Sequence, residues 1–546
     1  MKNEKMNLDS NELFSLNKKF EDELNLTNLT PDLKKIFAKF DHPLSHKANL
    51  TVSFKNNSWE IFDAEKKAKY ALKKNGESII VSENLHIVNQ IVEPGLCVRC
   101  GACEPACPVD IIKFDDQAYP YITKDEDCIF TCTRCIKVCP GKTVDYNAYD
   151  DEMFGIRPHP ESITGVVRRT MVSFSTNDQI RQQGSSGGLV TQLLIFMLDQ
   201  KIIDGALVMT RESNEQGFHY VPKIARTAEE LIHSQRSKYI LVPHLKELKE
   251  IEEVDGKYAI VALPCHIHSL KKYLKVSKKL RERVKFIIGL FCNVAYEPYL
   301  LDDVIEFSGY KKDEIANIEF RAGEWPGAVE LTLKDGRVIR PFPFEEIKDA
   351  INSLKLFYTA RRCNLCIDFS AEHADISVGD PWLRGPDGNY LFEDSRTTVL
   401  TRTVLGDEII DRAVEHGYIK IQRIPLKTYM VNFENNAWFK RDYVPKNMAL
   451  RKFFGYPIPE YSRSVKPNRD IISYLLLIIK EFLLFLSKSK TFRKYGFSIF
   501  VTKPAIKLLA WNRKHKKNKF AEHYAKSERF AERVMLRKPI PLSNDK

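Results

Sequence analysis

Cys97-Val98-Arg99-Cys100-Gly101-Ala102-Cys103-Glu104-Pro105-Ala106-Cys107-Pro108 is the stretch on which the reading of this chain turns. A second run answers it, Cys128-x3-Cys132-x2-Cys135-x3-Cys139-Pro140, with one residue more in its first gap. A [4Fe-4S] cubane needs thiolates converging from four directions. Three closely spaced cysteines wrap one set of corners, and the fourth, before proline, reaches the other cluster. On that pattern Cys97, Cys100, Cys103 and Cys139 hold one cluster, and Cys128, Cys132, Cys135 and Cys107 hold a second. Zinc also takes four thiolates from Cys-x2-Cys pairs. Zinc sites rarely use a third cysteine at x2 followed by x3-Cys-Pro, and here the whole run occurs twice. The expectation is electron transfer.

At 546 residues the chain is too long for one core, so several domains are expected. Hydrophobic content of 43% and charged content of 29% are those of an ordinary folded protein. Met1-Lys2-Asn3-Glu4-Lys5-Met6-Asn7 has no apolar stretch behind it, which reads as no signal peptide and a reducing cytoplasm. In that setting the twelve cysteines are metal ligands before they are disulfides. The net charge of +12 belongs to the end of the chain. Residues 461–546 hold 21 Lys and Arg against 6 Asp and Glu, or +15, which leaves the rest at −3. Such a distribution does not support nucleic-acid binding by the body.

Four stretches follow. Residues 1–85 are polar and Lys-rich, with a short helical pattern at Pro31–Phe40, and read as a helical extension. Residues 86–150 carry the two cysteine runs and resemble α+β bacterial-type 2[4Fe-4S] ferredoxins. Residues 160–460 alternate strand-like runs (Val166–Phe174, Ala206–Met209, Ala259–Leu263, Val284–Phe291, Ile376–Val378) with helical ones such as Leu189–Leu198 and Ile267–Leu274. That alternation predicts an α/β domain with a largely parallel sheet. Residues 461–546 form a basic, helical C-terminal tail.

The remaining cysteines fall in the α/β stretch. Cys265 follows the strand-like Ala259–Leu263, Cys292 closes Ile287–Phe291, and Cys363-Asn364-Leu365-Cys366 follows a helical stretch at Phe344–Ala360. Ligands gather at the carboxyl ends of strands in open α/β sheets, so these thiols are candidates for a third cluster. Against that, free cysteines are often buried as small hydrophobes, and a Cys-x-x-Cys pair serves redox chemistry in some folds. Spacing alone leaves the choice open.

Four phrases carry a resemblance: Ser185-Ser186-Gly187-Gly188, Leu263-Pro264-Cys265-His266, Gly289-Leu290-Phe291-Cys292 and Ala374-Asp375-Ile376-Ser377-Val378-Gly379-Asp380-Pro381-Trp382. Over residues 165–430 the chain resembles the coenzyme F(420) hydrogenase/dehydrogenase beta-subunit family, whose members reduce or oxidise an 8-hydroxy-5-deazaflavin. The ferredoxin fusion is similar to the input subunit of F(420)H2 dehydrogenases and to F(420)-dependent sulfite reductases. Related members include 7-hydroxymethyl chlorophyll a reductase. The resemblance implies FAD in the α/β domain and a [4Fe-4S] cluster beside it, held by Cys265, Cys292, Cys363 and Cys366. It implies hydride transfer between coenzyme F(420) and FAD, with electrons going to or from ferredoxin or a redox partner complex. Reduction of another organic substrate, or a non-catalytic relay role, are the other readings.

Gln183-Gly184-Ser185-Ser186-Gly187-Gly188 precedes a helix, and a glycine loop at a helix N-terminus suits an anion such as a flavin phosphate. Gly184-x-Ser186-x-Gly188 also fits a hydrolase nucleophile elbow, but the polar run Ser175–Gln183 is too long for a sharp strand-to-helix turn. A plain capped helix is the third reading. Lys238 and Asp380 fall in family motifs near the flavin, although Arg236 stands where relatives commonly have glycine. His266 and His268 are open between structural and proton-handling roles, and Arg321 with Trp325-Pro326-Gly327 is a candidate for shaping the substrate mouth. In the tail, Ile471–Ile479 and Phe482–Leu486 are split by Lys480-Glu481 and are too short to span a bilayer. Followed by Lys503, Lys507, Arg513, Lys514, Lys516, Lys517 and Lys519 around Trp511, they suit a membrane surface or a partner subunit.

Overall fold

A computed structural model describes residues 86–500 except 125–126, 130–131, 160–161, 215–216, 342–353, 393, 434–438, 464–466 and 468–470. It also describes strands within 3–84 and residues 524, 526–529, 531–532 and 540–541. The chain divides into two compact units. One comprises Met1–Pro94, Ala106–Lys113 and Pro120–Lys137; the other comprises Gly95–Pro105, Phe114–Tyr119 and Val138–Lys546.

In the first unit the helical extension expected over 1–85 is not what the described residues form. They make a six-stranded antiparallel sheet, in the order Asn3–Asn7, Ser78–Asn84, Ala68–Asn75, Ser58–Asp63, Leu50–Lys55, Asn25–Leu26. The cause lies in local sequence. Leu50-Thr51-Val52-Ser53-Phe54 and Trp59-Glu60-Ile61 alternate with period two. Ala68–Asn75 and Ser78–Asn84 pair antiparallel, with Asn75 opposite Ser78. The Lys-rich composition masked that alternation. Pro31–Phe40 lies outside the described residues.

The second unit is built on an eight-stranded sheet. Its strands are β1 (Arg169–Ser175), β2 (Gly205–Asn214), β3 (Gly217–Ala225), β4 (Tyr258–Ala262), β5 (Val284–Leu290), β6 (Ile376–Gly379), β7 (Thr397–Thr401) and β8 (Ile419–Arg423). Their spatial order is β3-β2-β4-β5-β6-β7-β1-β8. The parallel character is confined to the centre: β2, β4, β5 and β6 run parallel, while β3 at one side and β7, β1 and β8 at the other pair antiparallel. Apolar, β-branched runs such as Phe286-Ile287-Ile288 supply central strands that are covered on both faces.

Helix α1 (Leu189–Asp199) buries Leu193, Phe196 and Met197 against Ile288, Val399 and, from α3 (Val404–Glu415), Ile409 and Ile410. Between β4 and β5 runs α2 (Pro264–Val276), which starts with proline at its first turn, where no N–H is needed. A smaller antiparallel sheet, Ile315–Ala322, Ala328–Leu333 and Val338–Ile339, packs Phe320 and Leu331 with Tyr296 and Leu300. Of the stretch 344–360, residues 354–358 are helical and 344–353 lie outside the described residues.

Two consecutive reversals across β6, β7 and β1 make β1 run with β6, so β1, β4, β5 and β6 all end at one edge. Those four ends lead into the glycine-serine loop, Cys265, Cys292 and Asp380. In the tail, Ile471–Leu486 is one uninterrupted helix, α4, with Leu477 and Leu484 buried. Lys480 does not break it, because the ammonium sits over the Tyr443 ring at 4.2 Å. Glu481 accepts from Asn364 at 2.9 Å.

Candidate functional site

The two units divide the eight cysteines of the runs as the spacing pairs them: Cys107, Cys128, Cys132 and Cys135 fall in the first, Cys97, Cys100, Cys103 and Cys139 in the second. In the first unit, burial and then the charges of Cys128, Cys132 and Cys107 push the Cys135 thiol up to about 12. Those are the three residues of the second run with the crossing cysteine of the first. In the second unit, burial followed by Cys100 and Cys97 pushes the Cys139 thiol up. Cys103, also buried, shares the 95–105 loop. Backbone N–H groups already face two of these sulfurs: Arg99 N donates to Cys97 Sγ at 3.4 Å and Gly141 N to Cys139 Sγ at 3.3 Å. Such donors favour thiolate over thiol.

The four remaining cysteines meet in one cavity of about 620 Å3, its open mouth included. Cys265 comes from the first turn of α2, Cys292 from the segment after β5, and Cys363 and Cys366 from a short 3-10 turn at Arg361–Leu365. Burial pushes Cys265 well up, and Cys366, Cys292 and Cys363 add to it. Burial also lifts Cys292 to about 12, although Lys440 works against it. A metal that replaces these protons with positive charge relieves that mutual repulsion. Cys97 and Pro140 line the same cavity, so the first-run thiol and the four distant cysteines face one space.

Arg362 and Lys440 also line it. Both are buried, and their hydrogen bonds go to neutral oxygens: Leu96 O, Gly141 O and Tyr461 OH for Arg362, Asn293 O for Lys440. Among the described residues neither has a carboxylate partner within ion-pair distance. Two buried cations beside four cysteines match a tetrathiolate centre that carries net negative charge. Sequence reading passed over both; Arg362 was signalled only by its place beside Cys363, and nothing in the sequence signalled Lys440.

The glycine-serine loop is held by the protein itself. Gly187 (φ +46) and Gly188 (φ +66) are left-handed, and a Cβ there would come within 2.8 Å of Ser173 O and 2.5 Å of Ile180 O. Only glycine fits. Ser185 Oγ accepts from Ser237 N at 2.8 Å and Ser237 Oγ at 3.0 Å, while Ser186 Oγ lies 3.4 Å from Thr397 Oγ1. Gly184 caps the preceding short helix, its N–H donating to Ile180 O at 3.1 Å. That turn of helix, Asp178–Gln183, separates β1 from the loop, so no sharp nucleophile elbow forms.

Lys238 Nζ donates to Gln235 O at 2.7 Å and to Ser234 O, and burial pushes its ammonium down to about 7. Arg236 is itself left-handed (φ 74), a backbone conformation that glycine adopts without strain. Arg236 offsets its strained backbone by pairing with Glu319 and donating to Gln183 O at 2.9 Å.

Arg321 joins these parts. It is 1% exposed; Nη1 donates to Asp380 Oδ2 at 2.8 Å, Nη2 to Ser185 O at 2.8 Å and Nε to Pro326 O at 2.5 Å. Asp380 and the acidic charge it carries hold the guanidinium above its ordinary value against the lowering effect of burial. Beside it stand Trp325, Trp382 and Tyr390, with ring centroids 5.0 to 5.9 Å apart. The Trp325 Nε1 is buried and has no hydrogen-bond partner among the described residues. An aromatic wall with an unused indole donor and a buried arginine suits a flat, polar-edged ring. The sequence set Arg321 beside Trp325-Pro326-Gly327; that Trp382 and Tyr390 join them is decided by the fold.

His268 Nε2 lies 3.1 Å from Asp368 Oδ2, and His373 Nε2 lies 3.0 Å from Asp150 Oδ1. Arg463 closes the group on Asp150 at 2.8 Å and on Glu372. His268 is thus tied into a buried ionic network, whereas His266 stacks on His244 and neither of its ring nitrogens has a partner among the described residues.

Comparison with known proteins matches three segments. Residues 170–249 and 255–427 fit the N-terminal and C-terminal parts of the coenzyme F(420) hydrogenase/dehydrogenase beta subunit, and residues 96–143 fit a 4Fe-4S dicluster domain. The chain is 28% identical to the coenzyme F(420) hydrogenase subunit beta of Methanothermobacter thermautotrophicus, over 54% of this chain and 99% of that one. It is 26% identical to its counterpart in Methanococcus voltae, over 52% and 95%. With the coenzyme F(420)-dependent sulfite reductase of Methanocaldococcus jannaschii it shares 26% identity, over 59% of this chain and 46% of that one. A chain in the solved F(420)-reducing [NiFe] hydrogenase complex of Methanosarcina barkeri is similar at 22% identity and a TM-score of 0.43, over 56% and 98%. Through residues 170–427 the chain belongs to the coenzyme F(420) hydrogenase/dehydrogenase beta-subunit family of oxidoreductases, with a 4Fe-4S dicluster domain ahead of it.

Proposed function

We propose that this protein is an iron-sulfur flavoprotein that moves electrons between reduced coenzyme F(420) and ferredoxin or a partner complex. The observation that carries the reading is the convergence of Cys265, Cys292, Cys363 and Cys366 on a cavity that Cys97 also lines. When bound, FAD accepts hydride from the deazaflavin and [4Fe-4S] clusters carry single electrons. The residues of the chain bind, insulate and orient. Gly184, Ser185, Ser186, Gly187 and Gly188 hold a rigid turn at the start of α1. Arg321 locks that turn to Asp380, and Trp325, Trp382 and Tyr390 offer the stacking wall. The names of relatives support the substrate: F(420) hydrogenase and F(420)-dependent sulfite reductase both state the deazaflavin.

The partner is in keeping with the subunit names of those relatives. The tail adds a place of work. Ile471, Leu475, Ile478, Phe482 and Phe485 form an exposed apolar stripe along α4, at 46% exposure or more. Residues 487–520 then hold eleven Lys and Arg with no Asp or Glu. We assign this stripe to an anionic membrane surface; no helix among the described residues is long and apolar enough to cross a membrane.

The experiment is anaerobic purification, iron and flavin counting, then mixing with reduced F(420) or with NADH. About 12 iron atoms and one flavin are expected, with the oxidised absorbance bleached by F(420)H2. A flavin-free protein overturns the enzyme reading. Reduction by NADH and not by F(420)H2 overturns the substrate.

A further inference from the structure

Arg362 lies between two candidate cluster sites and is covalently next to one of them. Its Nε donates to Leu96 O at 3.0 Å, directly before Cys97, and its Nη2 donates to Gly141 O at 3.3 Å, just after Cys139-Pro140. Cys363 follows it in the chain, and its guanidinium lines the cavity shared by Cys265, Cys292, Cys363, Cys366 and Cys97. The third contact, Tyr461 OH at 3.3 Å, is neutral, because burial pushes that phenol up to about 12. Tyr461 OH donates a hydrogen bond to Leu365 O at 2.5 Å, which orients the hydroxyl oxygen toward the arginine. Lys440 occupies a different wall, its Nζ 2.7 Å from Asn293 O, one residue from Cys292. The acid that lines the cavity, Asp368, is already used: it accepts from His268 Nε2 and from the N–H groups of Ala371 and Glu372.

Burying an arginine without a carboxylate is costly unless another negative charge answers it. A cubane on four thiolates is an anion that gains a further negative charge on reduction, so a nearby fixed cation stabilises the reduced form more than the oxidised one. Resting on the iron-sulfur reading above, we infer that Arg362 is a shared electrostatic bridge raising the reduction potentials of both the Cys265/Cys292/Cys363/Cys366 cluster and the Cys97/Cys100/Cys103/Cys139 cluster. Lys440 acts on the first of these alone. The cluster of the first cysteine run with Cys139 is then the immediate redox neighbour of the cavity cluster. Arg362 is a positioning residue here, since it reaches the iron only through charge and backbone.

The test is a potentiometric titration followed by electron paramagnetic resonance on the anaerobically isolated full chain. Arg362→Gln is expected to weaken reduction of two of the three centres roughly tenfold, ~59 mV for one electron, with iron content unchanged. Arg362→Lys, which keeps the charge, should restore most of the shift. Lys440→Gln should shift one centre in the same sense and leave the other two. Unchanged potentials in an iron-replete Arg362→Gln chain overturn the inference. If Arg362→Gln loses its iron, Lys440→Gln decides, and its failure to shift any centre overturns it. An unsubstituted chain without iron overturns the underlying reading instead.

Discussion

Replacing Arg321 with methionine keeps the length of the side chain and removes the charge that ties the glycine-serine loop to Asp380. Four groups lose their donor: the Asp380 carboxylate, Ser185 O, Pro326 O and, at 3.4 Å, the Tyr239 hydroxyl oxygen. Breaking a buried ion pair from one side costs about 3–5 kcal/mol. Asp380 keeps 21% of its side chain in solvent, so its share falls at ~3 kcal/mol. The two carbonyls add on the order of 1 kcal/mol, for a total near ~4 kcal/mol. Trp325 and Trp382 lie beside the site, so equilibrium urea unfolding read by tryptophan fluorescence reports on the right region. Removing the stranded acid as well, in Arg321→Met with Asp380→Asn, should recover at least ~1 kcal/mol, a coupling typical of contacting pairs. A loss below ~1 kcal/mol for the single substitution, or strict additivity in the double, refutes the claim that this pair holds the loop.

Arg236→Gly relieves a left-handed backbone worth about 1 kcal/mol while losing the Glu319 pair, so its stability should stay close to that of the parent protein. Arg236→Ala keeps the strain and loses the pair, and should be the less stable of the two by about 1 kcal/mol in the same urea assay. Acid should destabilise the second unit through Glu372. Burial would raise that carboxyl, but Arg463 and Arg441 hold it below its ordinary 4.5 in the folded state. Its contribution is therefore complete above about pH 4.5 and is lost as pH falls further. Urea midpoints measured across that range should drop less steeply for Glu372→Gln, and an identical slope contradicts the assignment. Finally, the full chain should sediment with phosphatidylglycerol-containing vesicles and not with pure phosphatidylcholine. Leu475→Asp combined with Phe482→Asp should abolish the binding, and capture by neither vesicle refutes the surface assigned to α4.

The two cysteine runs declared themselves because the match of residues 96–143 to a 4Fe-4S dicluster domain rests on short-range spacing, as in Cys97, Cys100 and Cys103. The strands around β4 to β6 were legible for a similar reason, as buried central strands need continuous apolar runs. The N-terminal sheet was missed because the polar, Lys-rich composition of residues 1–85 outweighed an alternation visible in Leu50–Phe54 and Trp59–Ile61. The antiparallel flanks were out of reach of periodicity, which does not encode strand direction.

The first cysteine run, then, needed nothing but its spacing to be recognised. Only the tertiary structure decided the rest. Cys265, Cys292 and the Cys363–Cys366 pair are separated by long stretches of chain, and they meet because β4 and β5 end at the same edge and a 3-10 turn returns to it. Of the charges that answer them, Arg362 is marked only by its place beside Cys363, and Lys440 comes from a segment with no motif. Their identity as buried, carboxylate-free cations depends on which oxygens lie within reach after folding, and no local pattern of residues records that.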